Sequence, residues 1–434
     1  MDYPTEPVMT RTETNRIIDI IKREVIPAIG CTEPIAVALC VAKACETLGT
    51  TPERIEVSLS PNIYKNAMGV GIPNTGMIGL PIAIALGALV GKSAYGLEVL
   101  RDVTPPTVEK AKKYLTTTPI KIATETASGQ VLYIEATVRH GNDTATAVIA
   151  GSHTSFTSIV LNGKQLLDNS STVGSATSEG ESNLSLRKVY DFATSVPLDD
   201  IEFLWQSAEM NLSAAELSFT GDYGHGLGRM IHDDKTHAIF GDTLFARILS
   251  YTSGACDARM SGAMVPVMSN SGSGNQGISA TVPVVVFGQA NKASHERLLR
   301  ALALSHLTVI YIKQSLGRLS ALCGCVVAAT GSSCGITYLM GGGYEEITYA
   351  VKNMVANLTG MICDGAKPSC SLKVTSGVAT AVLSAALAIR HRHTTSLEGI
   401  IDEDADKCIR NLTDIGRNGM QQTDRLILEI MTNK

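Results

Sequence analysis

The sequence predicts an α+β fold in which an N-terminal α/β part with an antiparallel sheet is followed by a mostly helical part. Three observations support this prediction. Apolar and polar residues alternate with a period of two through residues 118–161, around a turn at Gly141-Asn142-Asp143. Residues 163–185 are rich in Ser, Thr, Gly and Asn, which is typical of a loop or linker. Beyond them, apolar residues recur at helical spacing towards the end of the chain.

These changes of pattern predict four segments. Residues 1–50 are expected to form helices that pack on the helical part. Residues 51–162 are expected to form an α+β sheet domain, and residues 163–189 a linker or loop. Residues 190–434 are expected to form a mostly helical domain.

The composition favours a globular enzyme. The chain has 434 residues, 44% of them hydrophobic, and a formal net charge of -5, so no nucleic-acid or membrane partner is expected. The longest apolar stretch, residues 77–90, is shorter than the roughly 20 residues that span a bilayer, and the N-terminus lacks a signal pattern. We therefore expect a cytoplasmic protein. Its ten cysteines are then expected to act as thiolates rather than as a disulfide framework.

The first candidate thiol follows a predicted helix over residues 13–26. Gly30-Cys31-Thr32-Glu33-Pro34 comes next, and Pro34 suits the first turn of a helix that continues over residues 35–48. Cys31 would then lie beside a helix N-terminus, where a thiolate is favoured. The alternative is a small buried residue at a turn.

A strand at residues 54–59 leads to a second group of candidates. Asn62, Lys65 and Asn66 have the spacing of one helical face, and a Gly/Pro-rich turn after them carries Asn74. A cation flanked by amides suits a small carboxylate ligand, and we predict that this group binds substrate. A solvated surface helix would show the same pattern.

A Gly/Ser-rich loop at residues 268–277 contains Ser273, Asn275 and Gln276. It lacks the Lys of a nucleotide-binding loop, but its backbone N–H groups could hold a carboxylate beside a helix start. A simple packing turn is the alternative. The histidines form no metal-binding pair, and His391-Arg392-His393 is interpreted as an exposed helix end.

Five of the ten cysteines fall in residues 322–372, at predicted turns and helix ends. Their spacing matches neither a zinc site nor a ferredoxin run, so the choice is between a thiolate site and buried structural cysteines. They are Cys323, Cys325, Cys334, Cys363 and Cys370.

Four long motifs together resemble the bacterial and archaeal L-cysteine desulfidase family, which is related to the iron-sulfur-dependent L-serine dehydratases. The resemblance covers essentially the whole chain. The motifs are GCTEP at 30–34, NIYKNAMG at 62–69, GSGNQG at 272–277 and GMICDG at 360–365.

The resemblance implies a [4Fe-4S] cluster held by three cysteines, with one iron open to substrate. By motif, the ligands would be Cys31, Cys325 and Cys363. Cys325 is preferred because the ligand in the related dehydratases follows a Gly and opens a helix, and Cys323 is the alternate. Cys370 only loosely matches a later dehydratase cysteine. If this holds, these thiols must converge in space.

The implied reaction is β-elimination from L-cysteine to pyruvate, ammonia and hydrogen sulfide. Lys65 with its asparagines and the Gly272–Gly277 loop are the candidates for holding the substrate carboxylate. Lys65 and Lys367 are the candidates for the base, if burial lowers their pKa. The rival hypotheses are an L-serine dehydratase with the same cluster chemistry, a pyridoxal-phosphate lyase and a non-catalytic metal-stabilised binding protein. A homodimer is one assembly compatible with the sequence.

Overall fold

The fold is α+β, as the sequence predicts. The computed structural model describes residues 9–126, 129–169, 184–233, 237–317 and 320–433. The helices are α1 (Arg11–Glu24), α2 (Thr32–Leu48), α3 (Pro61–Ala67), α4 (Leu80–Val90), α5 (Pro105–Thr117), α6 (Leu186–Ser195), α7 (Trp205–Thr220), α8 (Leu227–His232), α9 (His237–Phe240), α10 (Leu244–Met260), α11 (Gly274–Ala290), α12 (His295–Leu316), α13 (Gly324–Leu339), α14 (Tyr344–Leu358), α15 (Cys370–Ala388), α16 (Ala405–Asp414) and α17 (Gln421–Thr432).

The strands lie almost entirely in the first 168 residues. They are β1 (Pro27–Ile29), β2 (Arg54–Leu59), β3 (Gly71–Ile72), β4 (Met77–Ile78), β5 (Ile120–Thr124), β6 (Tyr133–His140), β7 (Asp143–Ala150), β8 (Phe156–Leu161), β9 (Lys164–Asp168) and β10 (Pro266–Met268).

The main sheet has the order β5-β2-β6-β7-β8-β9. The neighbouring pairs β2–β6, β6–β7, β7–β8 and β8–β9 are antiparallel, as predicted. Strand β5 pairs with β2 in parallel. The predicted hairpin turn joins β6 to β7, where His140 pairs with Asp143. The sheet is therefore mixed at one edge.

Strand β9 lies inside the segment that the composition marked as a linker. The preceding Asn162 and Gly163 both have positive φ, 48° and 79°, as in the tight turn that the dipeptide Asn-Gly favours. This turn folds β9 back onto β8. The predicted linker boundary at residue 163 is therefore too early, and part of the predicted linker, residues 170–183, lies outside the described residues.

Helix α2 packs on the sheet rather than on the helical part, which differs from the expectation for residues 1–50. It contacts α4, β6 and β7, and its residues from Ile35 to Ala42 are all buried. A helix that is apolar all round does not indicate by its periodicity which neighbour will cover it. Helix α1, by contrast, packs on the helical part, because Ile17 and Ile21 belong to its core.

The helical part packs small residues between helices. Helix α13 contacts α11, α12, α14 and α15. A Cβ added at Gly331 would lie 2.5 Å from the carbonyl oxygen of Ser305 on α12, so the two backbones are in close approach there. This explains why a chain with only 5% aromatic residues can fill its core.

Helix α15 is, among the described residues, the one helix long and apolar enough to cross a membrane by length and composition. In this fold it packs against α10, α13 and α14, and Val374, Val378, Ala381 and Ala385 are buried there. A core helix of a globular protein passes the same test. The apolar stretch at residues 77–90 forms β4 and α4.

The close approach of α2 and α4 provides a test of this packing. A Cβ at Gly87 would lie 2.6 Å from the carbonyl oxygen of Ala38, so Gly87→Val must separate the helices. We expect the free energy of unfolding to fall by about 1–3 kcal/mol in urea titrations. Ala88→Val, at the adjacent and less buried position, is the matched control and should cost less. Equal losses in the two variants would contradict the close contact.

Candidate active site

Five cysteines that are far apart in the sequence line one cavity of about 120 Å³. The structure thus brings together the three predicted ligand positions and both alternates. All ten cysteines of the chain are free thiols, and the other five do not line this cavity. The cavity cysteines are Cys31, Cys323, Cys325, Cys363 and Cys370.

Cys31 reaches the cavity through the pairing of β1 with β10. Ala28 lies opposite Val267, and Ser269 donates backbone and side-chain hydrogen bonds to the carbonyl of Ile26. Gly30 then turns the chain with φ 68°, and Cys31 becomes the N-cap of α2. The helix-start position predicted for Cys31 is therefore present.

Cys323 and Cys363 are held together by an isolated antiparallel bridge between Leu322 and Ile362. The N–H of Cys323 donates to Met361 at 2.9 Å, and the N–H of Cys363 donates to Ala321 at 2.7 Å. Each cysteine thus follows the bridge by one residue, and residues one step from a bridge on opposing strands point to the same face.

Cys325 and Cys370 reach the cavity from helix starts. Cys325 lies in the first turn of α13, after its N-cap Cys323, and Cys370 is the first residue of α15. The Sγ of Cys325 is 3.2 Å from the Sδ of Met361.

The thiols differ in how readily they ionise. A hydrogen bond from Cys325 lowers the pKa of Cys323 to about 7, and the same interaction, with burial, raises the pKa of Cys325. Burial raises the pKa of Cys31 and Cys363, and raises that of Cys370 to about 11. Of these five thiols, Cys323 is the one that most readily becomes a thiolate in the folded chain.

Glu33 is a buried carboxylate in the cavity wall. It accepts hydrogen bonds from Cys31 Sγ at 2.8 Å, Thr32 Oγ1 at 3.1 Å and Asn66 Nδ2 at 3.2 Å. Burial raises its pKa, but the charge of nearby His153, the hydrogen bond from Cys31 and the charge of Arg259 lower the pKa on balance. In the sequence, Glu33 is recognisable only as a helix-start residue, and its place in the cavity is not predicted.

Arg259 is a buried guanidinium in the same wall that was not predicted from the sequence. Its side chain is 2% exposed, and Nη1 donates to Asn275 Oδ1 at 3.0 Å. Its burial follows from the packing of α10, which is buried along residues 252–260, and no local sequence pattern indicates it.

The Gly/Ser-rich loop contributes all three of its predicted residues, Ser273, Asn275 and Gln276, to the lining. Helix α11 starts at Gly274, with Ser273 as its N-cap. Helix α12 anchors the loop, because Asn270 Nδ2 contacts both Nδ1 and the carbonyl oxygen of His306.

Only one of the three residues predicted to bind substrate from α3 lines the cavity. Asn66 lines the cavity, whereas Lys65 and Asn62 do not. Lys65 is 2% exposed and forms an ion pair with Asp424 of α17, 359 positions away. Its proposed role as a carboxylate anchor must therefore compete with a partner that the helical spacing could not reveal.

Two other candidates lie outside the cavity lining. Asn74 lies in a separate surface pocket with Glu109 and Lys112, so its position does not support the substrate-binding prediction. Lys367 forms an ion pair with Asp364, with Nζ 2.7 Å from Oδ2. This ion pair makes Lys367 less suited to act as a base, as the ion pair with Asp424 does for Lys65.

The histidine segment near the end of α15 has a different environment. Among the residues the structure describes, Glu345, Glu346 and His391 form one surface group whose ligand-type atoms lie within 4.8 Å of one another. Glu346 already accepts the N–H of Gly343 at 2.8 Å, and the ring of His391 lies edge-on to that of Tyr349 with centroids 6.0 Å apart. These contacts account for the group as helix capping and aromatic packing.

The Lys65–Asp424 pair predicts unequal effects of two substitutions. Asp424→Asn leaves a buried ammonium without its carboxylate, and we expect a loss of about 2–3 kcal/mol in unfolding free energy. Lys65→Met fills the same space with an apolar chain and leaves Asp424, whose side chain is 22% exposed, to water, so its cost should be below about 1 kcal/mol. Urea titrations measure both, and a larger loss in Lys65→Met would contradict the assignment.

His306 predicts a pH dependence of stability. Burial lowers its pKa from 6.5 to about 4, so between these values the unfolded chain binds more protons and stability falls as the pH falls. The group alone should cost about 3 kcal/mol over this window. His306→Gln cannot titrate, and its stability should decline less steeply from pH 6.5 to 4 in urea titrations of the cluster-free protein. Parallel slopes would rule out a buried neutral His306.

Comparison with known proteins identifies the family of the chain. The family model described as "Serine dehydratase alpha chain" matches residues 94–429. The UPF0597 protein BF3560 of Bacteroides fragilis is 64% identical over 426 residues, which cover 98% of this chain and 100% of that protein. UPF0597 proteins of Porphyromonas gingivalis and Oleidesulfovibrio alaskensis are 54% and 43% identical, each over 98% of this chain and 100% of the relative. The chain therefore belongs to the serine dehydratase alpha chain family, which is related to the iron-sulfur-dependent serine dehydratases.

Proposed function

We propose that this protein is an iron-sulfur lyase that catalyses β-elimination from L-cysteine, releasing hydrogen sulfide, ammonia and pyruvate. Family membership supports a lyase of the serine dehydratase type. The observation that carries the finer proposal is the convergence of five cysteines on one cavity whose wall also holds a guanidinium and a carboxylate.

The donor set fits a [4Fe-4S] cluster. Cysteine thiolates are the usual ligands of such clusters, and the five cavity thiols come from three remote segments of the chain. Cys31, Cys325 and Cys363 would hold the cluster, with Cys323 and Cys370 as alternates. Cys323 lines the same cavity two residues before Cys325 and therefore competes with it for the second position. When bound, the cluster would supply a Lewis-acidic iron for the departing sulfur or oxygen.

The charged residues of the cavity fit an amino acid. A zwitterion carries one carboxylate and one ammonium group, and the wall offers Arg259 and Glu33. Asn66, Ser273 and Gln276 add neutral polar groups around them. The chain's task is to hold the Cα–H and Cβ–S bonds in one orientation while solvent is excluded.

The elimination removes a proton from Cα and breaks the Cβ–S bond, with the electron pair leaving on sulfur. The aminoacrylate released then tautomerises and reacts with water to give pyruvate and ammonium. Lys65 and Lys367 remain the proposed base candidates, each requiring release from its ion pair with Asp424 or Asp364. A cytoplasmic location and a homodimer are parts of the same proposal.

L-serine dehydration is the second candidate, because the matching family model carries that name. Here hydroxide would leave in place of sulfide, and pyruvate and ammonia would be the only other products. Among the described residues, the cavity lining contains nothing that discriminates a thiol from a hydroxyl by charge.

The two activities are separated by one experiment. The protein is reconstituted with iron and sulfide without oxygen, desalted, and given L-cysteine or L-serine in parallel. We expect sulfide and pyruvate in equal amounts from L-cysteine and a much lower rate of pyruvate from L-serine. Pyruvate from L-serine without sulfide from L-cysteine would assign a dehydratase. Turnover of neither substrate by cluster-loaded protein would contradict both and favour a binding protein.

Cysteine substitutions test the ligand set. Cys31→Ser and Cys363→Ser should lose the visible absorption of the cluster and reduce sulfide release to background, because each removes one of three thiolates. Cys45→Ser is the matched control, since Cys45 is half-buried on α2 and does not line the cavity. Iron content and absorption after anaerobic reconstitution provide the measurement. Full cluster content in Cys31→Ser would remove Cys31 from the site.

A further inference from the structure

We propose that Arg259 binds the α-carboxylate of the substrate, an inference that rests on the proposed amino-acid lyase function. Arg259 occupies the last turn of α10, and its side chain is 2% exposed yet lines the cysteine cavity. The residue thus brings a permanent positive charge to a site shielded from bulk water.

The guanidinium is only partly satisfied. Nη1 donates to Asn275 Oδ1, whereas Nε is buried and has no hydrogen-bond partner among the residues that the structure describes. Within the same described ranges, no carboxylate lies within ion-pair distance of Arg259. A buried cation without a direct ion-pair partner is costly. Glu33 in the same wall interacts with Arg259 through its charge but forms no ion pair with it, so an anionic ligand bonded directly to the guanidinium would be favoured at this place.

The other cations near the cavity are less suited to this role. Lys65 is paired with Asp424, and Lys367 and Lys373 are both paired with Asp364. Lys313 also lines the cavity, but it has an interaction of its own. Of these cations, Arg259 is the one with a buried N–H group, Nε, that has no partner among the described residues and can donate to a ligand.

Gly274 makes room for this guanidinium. A Cβ on Gly274 would lie 2.2 Å from Nε and 2.7 Å from Cζ of Arg259, so no other residue fits without displacing the side chain. Gly274 is also the first residue of α11, and the first-turn amides of a helix lack intrahelical partners. A carboxylate here would meet the planar donor fork of Arg259 beside a helix N-terminus.

The adjacent Gln276 completes the argument for an amino acid. Its Oε1 is buried without a hydrogen-bond partner among the described residues, while Nε2 donates to the carbonyl of Asn270 at 3.3 Å. An unpaired acceptor and an unpaired donor on residues that line one cavity fit a ligand that carries an ammonium beside its carboxylate. The ligand class is therefore an α-amino acid, anchored by Arg259 at its carboxylate.

Two small thiols separate the carboxylate contact from the rest of the site. 3-Mercaptopropionate has a thiol and a carboxylate, whereas cysteamine has a thiol and an amine but no carboxylate. Their binding is measured by anaerobic calorimetry on cluster-loaded protein, so the readout does not depend on turnover. In Arg259→Gln, we expect the dissociation constant of 3-mercaptopropionate to rise about 30- to 100-fold. That of cysteamine should change by less than about threefold.

Two further variants keep the test decisive if Arg259→Gln folds poorly. Arg259→Lys keeps the charge but loses the fork, and an intermediate loss of 3-mercaptopropionate binding is expected. Gly274→Ala keeps Arg259 and moves its guanidinium, so it should reproduce the selective loss. Unchanged 3-mercaptopropionate binding in Arg259→Gln or in both of these variants would overturn the proposal.

The remaining outcomes identify other roles. Equal weakening of both thiols together with a loss of cluster absorption would mean that Arg259 supports the cluster, and would overturn the carboxylate assignment. Selective loss in Lys313→Gln instead of Arg259→Gln would transfer the role to Lys313 and overturn it likewise. Wild-type protein that binds 3-mercaptopropionate through Arg259 but turns over neither L-cysteine nor L-serine would contradict the lyase function and leave the anion site in place.

Discussion

The site depends on two very short backbone pairings. The three-residue ladder of β1 with β10 joins the N-terminal segment to the helical part, and the bridge of Leu322 with Ile362 joins two helix-flanking loops. Each pairing fixes the residue that follows it, which is Cys31 in the first case and the Cys323–Cys363 pair in the second. Thiols more than three hundred positions apart meet because the chain is constrained at these points rather than by a long shared sheet.

Local pattern was sufficient for much of the fold. Period-two alternation identified the sheet, and turn and capping residues located the start of α2. It failed where composition and pairing disagreed: Asn162-Gly163 is a strong hairpin signal, yet the Ser- and Thr-rich residues after it suggested a linker and hid β9. It also failed for α2, because a helix without a polar face carries no information about its partner.

In the site, too, local sequence pattern predicted some residues and could not predict others. Cysteines at turns could be recognised as candidates from their motifs, and the loop residues Ser273, Asn275 and Gln276 from their backbone context. Helical spacing placed Lys65 and Asn66 on one face but could not show that Lys65 faces Asp424. Arg259 could not be distinguished from a surface arginine, because its burial results from tertiary packing alone. The roles of side chains that depend on partners far away in the sequence are the ones that cannot be predicted from local pattern.

The link between Lys65 and Asp424 has a consequence for how the protein is made. Cys31 and Lys65 leave the ribosome early, whereas Cys363, Cys370 and Asp424 belong to the last fifth of the chain. The cavity wall can therefore close only after Cys370 has been synthesised, tens of seconds after Cys31 at about 5–20 residues per second. Any cluster would have to enter after that point, and the early thiol of Cys31 must be kept reduced during the interval.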